Sequence, residues 1–300
     1  MSRKCGFVTF IGRPNVGKST LINKIIGQKI VITSNKPQTT RKKIRAIYTD
    51  DRGQIVFLDT PGINKPKNKL GSYMRNETGT GAEGVDVLCH LIEPSDYIGD
   101  SEKEVINMTK GLNTKVILVI NKADTVKAEE LLPVIRKYNS ECDFLATVPV
   151  SAKTGKNVDE LLNVLFDNLP EGPMFYDEES VTDQPVKEIA AEIIREKALH
   201  SLSEEVPHGI AVVIEKFKER QSEKGVITDI EATIYCERDS HKGIIIGKGG
   251  QMLKKIGSNA RYELEKELDS KVNLQLWVKV NKDWRNDDKS LKNFGFIPGE

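Results

Sequence analysis

Residues 12–19 read Gly-Arg-Pro-Asn-Val-Gly-Lys-Ser, a G-x-x-x-x-G-K-S octet. It follows an apolar run, Phe7–Ile11, that reads as a buried strand. It opens a stretch, Lys18–Ile26, in which Leu21, Ile22, Ile25 and Ile26 recur at helical spacing. Strand, glycine-rich loop and helix in that order form a phosphate-binding loop. The glycines let backbone N–H groups curl inward onto phosphate oxygens, and the helix N-terminus adds its positive dipole. Lys18 is expected to reach the β- and γ-phosphates, and the Ser19 hydroxyl to ligate Mg²⁺. The contact set expected here is Gly12, Arg13, Pro14, Asn15, Val16, Gly17, Lys18, Ser19 and Thr20.

Two downstream segments suit a γ-phosphate. Asn35–Lys43 is a polar loop marked by Pro37 and carrying Gln38, Thr39 and Thr40. A threonine between the phosphate loop and the next strand is what Mg²⁺ and a γ-phosphate recruit. Gln54–Leu58 then reads as a strand ending in Asp59-Thr60-Pro61-Gly62. A carboxylate at a strand's C-terminal end lies on the ligand edge of an open α/β sheet, where Asp59 can hold Mg²⁺ through water. Gly62 offers an N–H able to approach the γ-phosphate. Thr60, Pro61 and Ile63 complete this part of the expected site. An aliphatic side chain such as Ile63 cannot orient water, so slow intrinsic hydrolysis is expected.

Base choice rests on Asn121-Lys122-Ala123-Asp124, which closes the apolar strand Lys115–Ile120. The Asp124 carboxylate can accept two hydrogen bonds from guanine's N1–H and N2 amine; adenine presents neither donor. Discrimination on the order of 10⁴ or more is expected. Lys122 should lie along the base plane, and Asn121 should tie neighbouring loops together. A last strand, Phe144–Val150, runs into Ser151, Ala152 and Lys153, whose N–H groups can meet guanine O6, before a helix over Val158–Leu169.

Two segments depart from a regular pattern. Residues 76–84 hold three glycines where a helix should follow the Asp59–Gly62 loop, so a weak or frayed helix is expected. The strand ending His90-Leu91-Ile92-Glu93 finishes in Glu rather than Asp, and Glu93 receives no role.

The four cysteines and four histidines are isolated, with no metal-ligand spacing; reduced thiols in a cytosolic protein are expected rather than a disulfide framework or zinc site. The N-terminus runs straight into the first strand with no signal peptide, and no apolar run approaches the ~20 residues of a membrane span. Net charge is only +1, so any nucleic-acid surface must come from local clustering.

The second half supplies such a cluster. A helical stripe (Ile189, Ala190, Ile193, Ile194, Ala198, Leu202) precedes strands over Gly209–Phe217 and Thr228–Tyr235. The run Gly243-Ile244-Ile245-Ile246-Gly247-Lys248-Gly249-Gly250, a helix to about Leu268 and a strand over Asn273–Val280 follow. A G-x-x-G turn between two helices lets a nucleic-acid backbone approach without a Cβ in the way. Lys248, Lys254 and Lys255, with Lys242 and Arg261, favour phosphate. Ile244, Ile245 and Ile246 are expected to floor an apolar groove for unpaired bases. The expected RNA contacts are Ile244, Ile246, Gly247, Lys248, Gly249, Gly250, Lys254 and Lys255; Trp277 is expected to pack.

Taken together, Gly12–Ser19, Gln38–Lys42, Asp59–Gly62, Asn121–Asp124 and Ser151–Lys153 resemble the five motifs of translation-factor-like GTPases, and the α-β-β-α-loop-α-β order around Gly247–Gly250 resembles a type II KH domain. That pairing resembles the bacterial Era GTPase family over about residues 4–290. The resemblance implies an α/β fold: a doubly wound, mostly parallel P-loop GTPase sheet over 1–172, a linker over 173–187, a smaller α+β KH domain over 188–283 and a C-terminal tail over 284–300. It implies GTP/GDP and Mg²⁺ as ligands, with Thr40 as the switch threonine and Thr39 as its rival. Asn15 matches the asparagine that holds K⁺ in potassium-activated relatives. Lys18, Thr40, Gly62 and Asn15 are the residues expected to act in GTP hydrolysis. The implied partner is 16S ribosomal RNA near its 3′ end, with a role in small-subunit (30S) assembly for a monomeric cytoplasmic chain; a weak peripheral place at the plasma membrane is implied by the family and by no residue of this chain. In the implied switch, GTP orders the segments around Thr40 and Gly62 and so opens or closes the KH groove. Two rivals stand beside it: an RNA-binding scaffold with structural nucleotide, and a regulatory GTPase whose KH fold binds protein.

Overall fold

The computed structural model describes residues 3–36, 38–62, 66–223 and 225–296. Pro37 and Ile63, singled out above, lie outside them. The chain divides into two compact units, one of Met1–Lys67 with Gly71–Asp183, the other of Asn68–Leu70 with Gln184–Glu300.

The first unit is a six-stranded sheet. In chain order its elements are β1 (Lys4–Ile11), α1 (Lys18–Ile26), β2 (Ile44–Asp50), β3 (Gly53–Asp59), α2 (Lys69–Ala82), β4 (Val87–Ile92), α3 (Asp100–Lys110), β5 (Lys115–Ile120), α4 (Ala128–Asn139), β6 (Ala146–Pro149) and α5 (Val158–Asn168). The strand order is β2-β3-β1-β4-β5-β6, parallel throughout except for the antiparallel β2–β3 pair. All residues of β3 and β4 are buried, as strands covered by helices on both faces must be. Parallel strands present all their C-terminal ends at one edge, so the loops after β1, β3, β5 and β6 converge there.

The glycine-rich stretch is helical as far as Ala82, and Gly84 follows with φ +72°. One glycine explains the composition. A Cβ built on Gly81 would lie 2.4 Å from the Thr60 methyl, so Gly81 lets α2 press against the Asp59–Gly62 loop; a Cβ on Gly79 would meet open space. The Thr78 hydroxyl adds a 2.8 Å hydrogen bond to the Pro61 carbonyl.

Most of the expected linker is bound into the first unit. The Gln54 amide accepts from the Phe175 and Tyr176 N–H groups (2.9 and 3.0 Å) and donates to the Tyr176 carbonyl (3.0 Å). Thr182 bridges to Ala46 on the β2 edge, and Arg45 pairs with Asp183 at 2.6 Å. An otherwise open sheet edge is covered in this way.

The second unit contains α6 (Val186–Ser201), β7 (Ala211–Ser222), β8 (Gly225–Cys236), α7 (Asp239–Ile246), α8 (Gln251–Glu267), β9 (Lys271–Val280) and α9 (Asp288–Asn293). β7 and β8 are antiparallel with a register shift between Ile214 and Lys216, and β8 pairs parallel with β9. Ile230, Ala232 and Ile234 of β8 are buried with Ala190, Ile193 and Ile194 of α6 and Ile256, Ala260 and Leu264 of α8. Gly257 admits Leu276 of β9 to within 3.3 Å of its Cβ position.

Residues 284–296, in the expected C-terminal tail, are anchored in the second unit. Trp284 is fully buried, donates from its indole N–H to the Gly209 carbonyl at 2.9 Å, and packs against Phe294 and Phe296. A large aromatic with its one polar group satisfied anchors that segment. Trp277, expected to pack, is 42% exposed, because strand alternation puts it opposite Leu276 and Val278. Among the described residues, no helix is long and apolar enough to cross a membrane.

Candidate functional site

In the first unit the loop after β1 turns through Asn15 (φ +66°) and Gly17 (φ +99°), both left-handed. A Cβ at Gly17 would meet the Asn121 amide nitrogen at 2.3 Å, and one at Gly12 the Leu91 carbonyl oxygen at 2.4 Å, so only glycine fits either place. Lys18 is buried at the start of α1. Its ammonium donates to the Gly12 and Arg13 carbonyls at 3.2 Å each, and burial pushes its pKa down to about 8 against the opposing charges of Asp59 and Glu102.

Three oxygens converge beside it. The Ser19 and Thr40 hydroxyls donate to Asp59 Oδ2 at 3.0 and 2.9 Å and lie 3.2 Å from each other. Asp59 is wholly buried, and burial raises its pKa even with Lys18, Thr40 and Ser19 opposing. Its other oxygen, Oδ1, is buried with no hydrogen-bond partner among the described residues. Two hydroxyls and a carboxylate, all oxygen donors, with an unmatched carboxylate oxygen, fit a hard divalent cation such as Mg²⁺. Thr39 instead donates to the Lys36 carbonyl at 2.6 Å. The Asn15 amide donates to the Asn35 carbonyl at 2.8 Å. Gly62 comes close to the phosphate loop, since a Cβ there would lie 3.2 Å from Pro14. Thr60 is buried behind it, and Pro61 is held through Thr78. Ile63 lies outside the described residues.

Asn121 joins the base-side loops. Its amide nitrogen donates to the Val16 carbonyl at 2.8 Å, and its oxygen accepts from the Ala152 N–H at 3.0 Å. Lys122 (φ +60°) donates to the Asn15 carbonyl at 3.1 Å and pairs with Glu93. Asp124 is solvent-exposed; a hydrogen bond from the buried Ser151 hydroxyl holds its carboxyl below the usual range. Ser151 also accepts from the Thr154 N–H at 3.1 Å, which shapes the loop containing Lys153. Glu93, given no role from sequence, therefore bridges toward the base loop. Its significance rests on a neighbour 29 positions away and leaves no local signal.

In the second unit Gly247 (φ +72°), Gly249 (φ +57°) and Gly250 (φ +79°) form the turn between α7 and α8. No heavy atom lies within 4 Å of a Cβ at Gly249 or Gly250, so the turn is open as well as left-handed. Lys248, Gly249, Lys254 and Lys255 are exposed. Ile244 is 50% exposed and Ile246 half-buried, whereas Ile245, expected in the groove floor, is fully buried in the core. Successive helical residues diverge by about 100°, so three consecutive isoleucines cannot share one face.

Residues 7–122 match the family model described as a 50S ribosome-binding GTPase, and residues 205–285 match the KH domain model. GTPase Era of Ruminiclostridium cellulolyticum is 53% identical over 296 residues, covering 99% of this chain and 98% of the relative. GTPase Era of Clostridioides difficile is 50% identical, covering 98% of each. Two solved structures are similar over nearly the whole chain at 40% identity. One is a variant of Aquifex aeolicus Era bound to GDP·AlF4⁻ (TM-score 0.93, 98% of this chain, 100% of the other). The other is Era in complex with MgGDPNP and nucleotides 1506–1542 of 16S ribosomal RNA (TM-score 0.94, 99% and 100%). Identity of this order over nearly the full length of both chains means that the chain belongs to the GTPase Era family.

Proposed function

We propose that the chain is a GTP-hydrolysing switch that binds single-stranded 16S ribosomal RNA near its 3′ end through its KH module and assists assembly of the small ribosomal subunit. The observation that carries this is the convergence of Ser19, Thr40 and Asp59 within 3.2 Å of one another beside the buried Lys18 ammonium. Thr40 belongs to a loop remote in sequence from the phosphate loop, and a switch requires such a loop to sense the γ-phosphate.

In this reading Gly12–Thr20 cradles the phosphates and Lys18 neutralises β- and γ-oxygens. Ser19 and Thr40 hold Mg²⁺ directly and Asp59 through water, the ion supplying charge stabilisation at the transferring phosphoryl group. The Gly62 N–H points at the γ-phosphate. Asn15 would hold K⁺, which would supply positive charge to the phosphates. Asp124 reads guanine, Lys122 lies along the base, and Ser151–Lys153 meets O6. With Ile at position 63, no side chain there orients the attacking water, so intrinsic turnover is slow.

Gly247–Gly250 takes the RNA backbone, Lys248, Lys254 and Lys255 its phosphates, and Ile244 and Ile246 its bases. The chain acts as a monomer in the cytoplasm, with a weak peripheral place at the membrane's inner face.

Fluorescence anisotropy with a single-stranded 16S 3′-end RNA tests the reading. Replacing Lys248 and Gly249 together by Asp should abolish binding while GTP hydrolysis persists. Equal RNA affinity with GDP, a GTP analogue and no nucleotide would refute the switch, and ATP binding as tight as GTP would refute the base assignment.

A further inference from the structure

Arg13, the second residue of the phosphate loop, is held from behind by carboxylates that belong to no recognised motif. Glu102 lies in the first turn of α3 and its side chain is completely buried. Its Oε2 sits 2.5 Å from Arg13 Nε, an ion-pair contact rather than an aligned hydrogen bond, and its Oε1 is 2.9 Å from His90 Nε2 on β4. His90 is itself fully buried, edge-on to Tyr138 and near Phe144, with Nδ1 unpartnered among the described residues. That pattern assigns the Nε2–H tautomer: a ring donating to Glu102 leaves only a weak acceptor unmatched, whereas a second N–H would be a buried donor without an acceptor.

Arg13 also comes within 3.9 Å of Glu93, which pairs with Lys122. Lys122 in turn donates to the Asn15 carbonyl at 3.1 Å, so two left-handed residues on neighbouring loops are joined. His90, Glu102, Arg13, Glu93 and Lys122 therefore form one continuous chain of charge and hydrogen bonds. It runs from the sheet core to both the phosphate loop and the base-reading loop.

We propose that Glu102 is a positioning residue for the nucleotide site: through Arg13, and with Glu93 acting on Lys122, it locks the phosphate loop and the guanine-reading loop into one rigid cradle. Glu102 is wholly buried behind the loop; its direct contact with the loop is the Arg13 pair, and its charge is felt more weakly by the Lys18 ammonium. A buried carboxylate oriented by a neutral histidine and matched by a partly exposed arginine retains its geometry only while all three are present. The argument rests on the GTP-binding reading above.

The test begins with the full-length wild type, titrated with fluorescent GDP and then with ATP as competitor; failure to bind GDP sinks the underlying reading, not this one alone. Steady-state GTPase kinetics then compare Glu102→Gln, Arg13→Gln, the double variant and Glu102→Asp. Glu102→Gln and Arg13→Gln should each raise KM for GTP by about tenfold or more, with kcat at saturating GTP within about threefold of wild type. In the Arg13→Gln background the second change should add little, because the partner through which Glu102 acts is already gone. Glu102→Asp, which keeps the charge, should recover most of the lost KM. If Glu102→Gln fails to fold, Glu93→Gln decides, since Glu93 is partly exposed, stands outside the expected nucleotide contacts and joins Arg13 to Lys122: its KM should rise severalfold with kcat held. KM within twofold of wild type in either single variant, or an undiminished Glu102→Gln effect in the Arg13→Gln background, overturns the proposal.

Discussion

Thr40 Oγ1 donates to Asp59 Oδ2 at 2.9 Å, while its neighbour Thr39 turns away to the Lys36 carbonyl at 2.6 Å. Two adjacent threonines, of which family resemblance favours Thr40 with Thr39 as rival, differ in where their hydroxyls point, and the geometry supports Thr40 as the metal-side residue. Thr40→Ala should lower Mg²⁺-dependent GTP hydrolysis by about tenfold or more, and Thr39→Ala by no more than about threefold. Phosphate release measured across a Mg²⁺ titration checks this; equal losses in the two variants would overturn the distinction, and a larger loss in Thr39→Ala would move the role to Thr39.

Gly79 and Gly81, two residues apart in α2, point to nearly opposite faces of the helix, about 200° apart. Gly79→Ala should stabilise the chain by about 0.5–1 kcal/mol, since alanine is the better helix former and nothing stands in its way. Gly81→Ala should destabilise by about 1–3 kcal/mol, because its methyl would meet the buried, β-branched Thr60 at 2.4 Å. Thermal melts of both variants, with GTP binding measured alongside, read the difference. A stabilised Gly81→Ala would show that the approach of α2 to Thr60 is not required.

Trp284 is the anchor of the second unit's C-terminal segment. Trp284→Ala should destabilise that unit by about 3–5 kcal/mol through lost burial and an unmatched Gly209 carbonyl. RNA binding should fall with it while guanine-nucleotide binding survives. Anisotropy with RNA and fluorescence with GDP on the same sample separate the two. A Trp284→Ala chain with unchanged melting would sink the anchor.

Lys18 makes the nucleotide-free, metal-free chain pH-dependent. Its folded pKa of about 8 lies below the ordinary 10.5, so the unfolded chain binds more protons between those values, and stability from this group rises as pH climbs from about 8 to 10.5. Below pH 8 both states are protonated and the burial penalty, on the order of 3 kcal/mol, is fully present. Lys18→Met should therefore be more stable than wild type at pH 7 and lose that advantage towards pH 10. GDP affinity of the wild type should fall over the same interval, as the free ammonium deprotonates. Denaturant titrations from pH 6.5 to 10.5 check the first, and a flat difference between the two chains would contradict it.

The loops proposed to meet nucleotide were legible in the primary structure because such a task dictates residue type at short spacing. Glycine is required where backbone must turn left-handed against a phosphate, lysine and serine stand at the mouth of α1, and one carboxylate ends β3 while another lies just past β5. The same local logic exposed the Gly247–Gly250 turn and the order of elements around it. Glu102, Glu93 and His90 could not be read in this way. Each is an ordinary polar residue until the sheet sets β4 beside β1 and brings α3 behind the phosphate loop, and their meaning lies in partners 12 to 89 positions distant. Gly81, Trp284 and the choice between Thr39 and Thr40 belong to the same class. Close approach, burial and hydroxyl direction are properties of pairs, and folding alone establishes which pairs exist.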